Sequence, residues 1–217
     1  MLTSKLRSQL LEGNQRGIVL VALLAAVVSV FTSLPKLGPA IFGDELGYLS
    51  VARVFAGRES IFIGGGTTYH PGIGILYALP ALFGSPRMVY FGSLAVNAIL
   101  VGCNVWLSAR LVTKIFPNGR HNSIAQLGLL VFPGVLYYAS FAMAETLVTT
   151  VILTIVWVSY ACDTHSSSTV SLVVLGVLAG GAWVVHPRFI AAPLVVTLVC
   201  VLRRRVRHTI YVGVAAS

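Results

Sequence analysis

The sequence predicts an all-α, polytopic transmembrane protein with an interfacial helix in its first outer loop. Three observations predict it. Of 217 residues, 57% are hydrophobic and only 10% charged, against roughly 25% charged in a soluble domain. Mean hydropathy is +0.89, more apolar surface than a water-soluble fold can bury. The basic residues that give a net charge of +9 stand in short clusters between apolar runs. These clusters are Lys5, Arg7 and Arg16; Arg110, Lys114 and Arg120; and Arg203, Arg204, Arg205 and Arg207. Such clusters orient spans. They do not form the continuous basic face that nucleic acid needs, so no nucleic-acid partner is expected.

The first span is expected over residues 17–34, ended by Pro35. No small-residue cleavage site precedes Pro35, so the span stays uncleaved. Basic residues ahead of it put the N-terminus in the cytoplasm, the chain sitting in the plasma (inner) membrane. Residues 35–70 form an outer loop. Within it, residues 45–56 read as an amphipathic helix with Tyr48, Val51, Ala52 and Phe55 on one face and Ser50 and Arg53 on another. Asp44 can cap that helix, which lies along the outer interface. The turn-rich stretch GGGTTYHPG follows.

Residues 71–83 are apolar but too short to cross comfortably. A fuller span runs from Met88 to Leu107, and further segments cover 124–140, 146–162, 170–185 and 189–202. Two topologies compete. If every segment crosses, the basic loop 110–121 lies outside and Glu145 inside. If 71–107 makes one net crossing, every basic cluster lies inside, and Asp44, Glu45, His70, Glu145, His186 and Arg188 lie outside. The Lys/Arg bias favours the second. Residues 71–84 then dip into the membrane or lie on its surface. The closing TIYVGVAAS looks like the opening of another span. Residues 1–217 are therefore expected to be a single membrane module, the N-terminal part of a longer chain. Cys103, Cys162 and Cys200 form no CxxC and read as small buried hydrophobes.

Only six carboxylates occur in the chain, and two stand together as Asp44-Glu45. Asp44 suits a base for an acceptor hydroxyl or an oxygen ligand for a divalent cation. It equally suits a helix cap, with Glu45 favourable to the helix dipole. His70 precedes Pro71-Gly72, an open helix start that suits an anionic phosphate, or a plain loop-to-helix transition. Glu145 stands between two apolar runs, where a carboxylate is costly unless used or paired. It can also be an interfacial helix-start residue. Arg188 in His186-Pro187-Arg188 suits a phosphate clamp or a snorkelling anchor. No P-loop, HExxH, GxSxG or zinc-like Cys/His spacing occurs.

Taken in order, GDELGYLSVARVFAGR, YHPGIGILYALPALFGSPR, GLLVFPGVLYYASFAMAETL and GVLAGGAWVVHPRFIAAPL resemble the GT-C superfamily of polytopic glycosyltransferases. The closest branch contains the protein O-mannosyltransferases and aminoarabinose transferases. The resemblance covers nearly all of the chain, as an N-terminal membrane module. It departs where the family carries a Lys or Tyr before Pro-Pro, which here reads Tyr-His-Pro-Gly. The resemblance implies a polyprenyl-phosphate-linked sugar donor. The acceptor hydroxyl belongs to a glycan, lipid or protein, and reaction occurs on the non-cytoplasmic face. It implies Asp44 as base, Glu45 as helper and Glu145 as second acid, with His70 and Arg188 at the donor phosphate. Asp44 and Glu145 are the ligands if a divalent cation takes part. The competing reading is a non-enzymatic scaffold, a transporter-like subunit or an inactive truncated relative. A transporter carries polar groups inside several spans, whereas here Asn97, Asn104 and a few Ser and Thr are the exceptions.

Overall fold

The computed structural model describes residues 4–36, 38–39, 43–61, 69–116, 133–164, 169–202 and 215. Among these residues every regular element is helical. In chain order they are α1 (Ser4–Ser33), α2 (Gly43–Phe55), α3 (Pro71–Phe83), α4 (Pro86–Ile115), α5 (Pro133–Ala139), α6 (Glu145–Thr164) and α7 (Thr169–Val185). A 3-10 turn (Pro187–Ala191) leads into α8 (Ala192–Leu202). Proline, whose fixed φ and missing N–H suit a first turn, opens α3, α4 and the 3-10 turn as Pro71, Pro86 and Pro187. Ser85 caps α4, its hydroxyl accepting the Met88 N–H at 3.5 Å.

Among the described residues three helices are long and apolar enough to cross a membrane, over Gln15–Ser33, Pro86–Ile115 and Glu145–Cys162. The expected boundaries need correction. The first helix continues back to Ser4, and the span at 88–107 lies within a 30-residue helix. Hydropathy marks the part of a helix that lipid would cover, and the hydrogen-bonded ladder runs on past it. For the segment expected over 124–140, residues 124–132 lie outside the described residues. Only α5 is helical there, and the chain leaves the helix at Ser140. The segment at 189–202 divides into the 3-10 turn and the 11-residue α8. Residues 62–68, Arg203 to Arg207 and TIYVGVAAS apart from Ala215 also lie outside the described residues.

The amphipathic helix forms over 43–55, but its faces differ from the expected ones. Tyr48, Val51 and Ala52 are buried as expected. Phe55 is exposed and Ser50 is fully buried. Ser50 turns inward because Ser60 and the Ile61 N–H return to its hydroxyl from the following loop. Asp44 lies inside the first turn of a helix starting at Gly43, and so is not its N-cap.

Packing sets which ends of the helices meet. α1 lies along α4 through small side chains, Ala22 and Ala25 against Val101 and Val105. A Cβ on Gly102 would stand 3.2 Å from the Ala22 carbonyl oxygen. α2 rests on α3 and α3 on α4, around Tyr48, Leu49, Ile73, Tyr77, Tyr90 and Leu94. Asn104 Nδ2 donates to the Thr146 carbonyl at 3.0 Å, and the Tyr160 hydroxyl donates to the Lys114 carbonyl at 3.2 Å. α4 and α6 therefore run in the same direction. α7 packs on α6 and ends against the start of α3. There Gly72 is required, since a Cβ would stand 2.6 Å from Val185 Cα and 2.9 Å from the Val184 carbonyl oxygen. The starts of α3 and α6 and the end of α7 thus share one end of the bundle. The last turns of α4 and α6 share the other.

Between α5 and α6 the backbone is irregular, and Ala142 and Ala144 within it are buried. Buried backbone without a ladder needs other partners. Side chains from four surrounding segments supply them. Lys36 Nζ donates to the Ser140 carbonyl. Asn97 Nδ2 donates to the Phe141 carbonyl at 2.6 Å. The Tyr77 hydroxyl donates to the Met143 carbonyl at 3.2 Å. Glu45 Oε1 accepts the Ala142 N–H at 2.8 Å. Asn97 and Asn104, the polar exceptions in the longest span, serve this break and the helix start that follows it.

Candidate functional site

The acidic pair divides. Successive residues on a helix point about 100° apart, so Asp44 and Glu45 cannot share a face. Asp44 is exposed and accepts the Tyr69 hydroxyl on Oδ1 at 2.8 Å. Glu45 is fully buried, and its Oε1 also lies 3.4 Å from the Tyr90 hydroxyl. Asp44 therefore meets whatever approaches the end of the bundle, while Glu45 holds the break at 140–144 from below.

Tyr69 packs edge-on against Tyr48 with ring centroids 5.1 Å apart. Its ring also fills the space over Gly47, where any Cβ would collide with it. Its hydroxyl pKa is raised, first by the hydrogen bond to Asp44, then by burial and the Asp44 charge. Tyr48 is pushed up to about 12, mainly by burial, then by the negative charges of Glu145 and Asp44, with Arg188 pulling the other way. Those influences place Asp44, Glu145 and Arg188 within electrostatic reach of one buried ring.

His70 stacks edge-on against Trp183 of α7 at 5.0 Å between centroids. Glu145 begins α6, and its Oε2 is buried with no hydrogen-bond partner among the described residues. An unsatisfied buried carboxylate oxygen is costly in a purely structural role. Arg188 is exposed, and its backbone N–H donates to His186 Nδ1 at 3.2 Å. The sequence-predicted residues thus fall into two groups. Asp44, His70, Glu145 and Arg188 gather at one end of the bundle, and Glu45 lies beneath them.

Sequence reasoning missed Lys36, Tyr48 and Tyr69. Lys36 donates to the Ser140 hydroxyl at 3.0 Å and stands 3.1 Å from the centre of the Phe141 ring. Its pKa is lowered, burial outweighing the opposing pull of Glu45. Its partners lie more than 100 residues along the chain, and no local pattern could show them. Tyr69 offered a signal, as a ring beside His70-Pro71 in the same loop as the acid pair.

Among the described residues no three His, Cys, Asp or Glu side chains come together as a metal group. Asp44 Oδ1 is taken up by Tyr69. Comparison of the chain with protein-family models, curated proteins and solved structures returns no match.

The His186 pKa is lowered from its ordinary 6.5, first by burial and then by the Arg188 charge. A depressed imidazole stabilises the fold above pH 6.5, and that contribution is lost as pH falls through the folded-state value. Protonation also removes Nδ1 as acceptor for Arg188. We expect amide hydrogen exchange at 188–191, corrected for intrinsic rate, to quicken on acidification below pH 6.5. In His186→Ala the corrected rate should be fast and independent of pH. A flat profile in the wild-type protein would show that the imidazole does not hold the turn.

Proposed function

We propose that this chain is the membrane module of a glycosyltransferase that moves a sugar from a polyprenyl-phosphate donor to an acceptor hydroxyl. In this reading the protein is multi-pass, the N-terminus is cytoplasmic, and α2 lies along the outer interface of the plasma (inner) membrane. The carrying observation is the gathering of Asp44, Tyr69, His70, Glu145 and Arg188 at one end of a bundle whose other end holds Arg110 and Lys114.

The chemistry follows from the charges. Asp44 takes the proton of the acceptor hydroxyl, and the acceptor oxygen bonds to the anomeric carbon as the bond to the lipid phosphate breaks. One displacement inverts that centre. The departing phosphate is already anionic and needs positive charge more than a proton. Arg188, the His70 edge and the first N–H groups of α3 are the groups available to it. Glu145 orients the acceptor.

The test is the fate of a radiolabelled polyprenyl-phosphate sugar in vesicles carrying the protein. Glycosyl transfer predicts consumption of the lipid-linked sugar and label in a new product. Uptake of free sugar without consumption of the lipid form would favour a transporter-like subunit instead.

A further inference from the structure

At the end of the bundle away from the acid cluster, the last turns of α4 and α6 build a second polar feature. Arg110 places its guanidinium 5.5 Å from the Trp106 ring centre and 6.0 Å from that of Trp157. Lys114 Nζ stands 4.5 Å from the Trp157 ring centre and 5.9 Å from that of Tyr160. The two indoles lie 6.4 Å apart, and Tyr160 is tied to the Lys114 carbonyl. Aromatic faces hold cations by their quadrupole without using the N–H donors. The donors are therefore held in place and left unspent. Arg110 Nε is buried and has no acceptor among the described residues. Lys114 is exposed, with no carboxylate beside it among the described residues.

Cations near a helix C-terminus complement its dipole, and long basic side chains snorkel to water. Neither role calls for a buried Nε without an acceptor, nor for three aromatic rings around two cations. The two polar features stand apart along the bundle. Glu145 and Trp157 are about 12 residues apart on α6, or roughly 18 Å, and indole rings favour the headgroup level of a membrane.

We propose that Arg110, Lys114, Trp106 and Trp157 form a binding site for the headgroup phosphate of an anionic phospholipid in the leaflet opposite the acid cluster. Arg110 supplies a directed N–H and Lys114 a point charge, while the indoles pack against the glycerol backbone. The site depends on the helices crossing a membrane and not on sugar transfer, so the two proposals fail separately.

The chain has three tryptophans, and Trp183→Phe leaves the two at this site as reporters. The protein is placed in phosphatidylcholine nanodiscs containing either brominated phosphatidylglycerol or brominated phosphatidylcholine at equal mole fraction. Quenching by the anionic lipid should show enrichment of roughly five- to thirty-fold, for one to two engaged cations. Arg110→Gln with Lys114→Gln should abolish the difference. The charge-preserving pair Arg110→Lys with Lys114→Arg should retain most of it, separating loss of charge from loss of fold. Equal quenching by both lipids in the unsubstituted site would overturn the proposal. So would enrichment that survives removal of both charges. Displacement of the brominated lipid by inorganic phosphate alone would make a soluble anion the occupant and overturn the lipid assignment.

Discussion

Glu45→Ala is expected to cost about 3–5 kcal/mol of stability, the largest loss at any polar position near the acid cluster. The side chain is fully buried, and its Oε1 accepts the Ala142 N–H at 2.8 Å with the Tyr90 hydroxyl at 3.4 Å. Truncation leaves both donors buried without that acceptor, each costing about 1–3 kcal/mol. It also opens a cavity between α2, α4 and the irregular backbone at 140–144. Lys36 then loses the negative charge that opposes its desolvation. Glu45→Gln keeps one carbonyl oxygen for Ala142 and should cost less than half as much. Thermal unfolding in detergent measures the loss. Hydrogen exchange localises it, since the Ala142 amide should lose protection before the middle of α4. If Glu45→Ala melts with the wild-type protein, the carboxylate is not what anchors the break. The prediction concerns packing alone and stands whether or not the chain transfers sugar.

How much of this was legible depends on how far apart the partners lie in sequence. The helix start at Pro71 was readable because the signal and the structure share one or two residues, whereas the segments expected from Met88 and Phe189 begin earlier, at Pro86 and Pro187. The near agreement of 170–185 with α7 has the same origin, a run of apolar residues bounded by polar ones. The long ends of α1 and α4 were not readable, because hydropathy falls at the edge of the apolar core while the helix continues. Ser50 was put on the wrong face because its partner Ser60 belongs to a loop ten residues on. The division of Asp44 from Glu45 was available in principle from the helical period. Which of the two turns inward was not, because the deciding donor, Ala142, is 97 residues away. Asn97 and Asn104 looked like isolated exceptions in an apolar span. They pair with backbone more than 40 residues on, where nothing local marks the need. His70, Glu145 and Arg188 were singled out separately as polar residues beside apolar runs, and the fold brings them to one end. The chemistry assigned to them came from the order of four segments.

Asp44→Asn is expected to lower sugar transfer by at least about a hundredfold while leaving the protein folded. A positioned base contributes roughly 10²–10⁴ in rate, and an amide cannot take the acceptor's proton. The substitution is nearly isosteric, and the remaining carbonyl oxygen still accepts the Tyr69 hydroxyl, now at 2.8 Å from Oδ1. Melting temperature should therefore stay at the wild-type value, the opposite of Glu45→Ala. That contrast between neighbouring acids separates chemistry from architecture. Tyr69→Phe removes the hydrogen bond that orients Asp44 but keeps the ring over Gly47. It should cost roughly tenfold in rate, the order of one lost orienting contact, with little change in stability. The assay is label transferred from a polyprenyl-phosphate sugar by matched amounts of protein in vesicles. Retention of more than about a tenth of wild-type activity in Asp44→Asn would count against Asp44 as base, since it falls below the smallest contribution a general base makes. If Glu145→Gln then abolished transfer with the fold intact, the base would be Glu145, whose Oε2 is already buried and without a partner among the described residues. Asp44 would then be left to orient the acceptor through Tyr69.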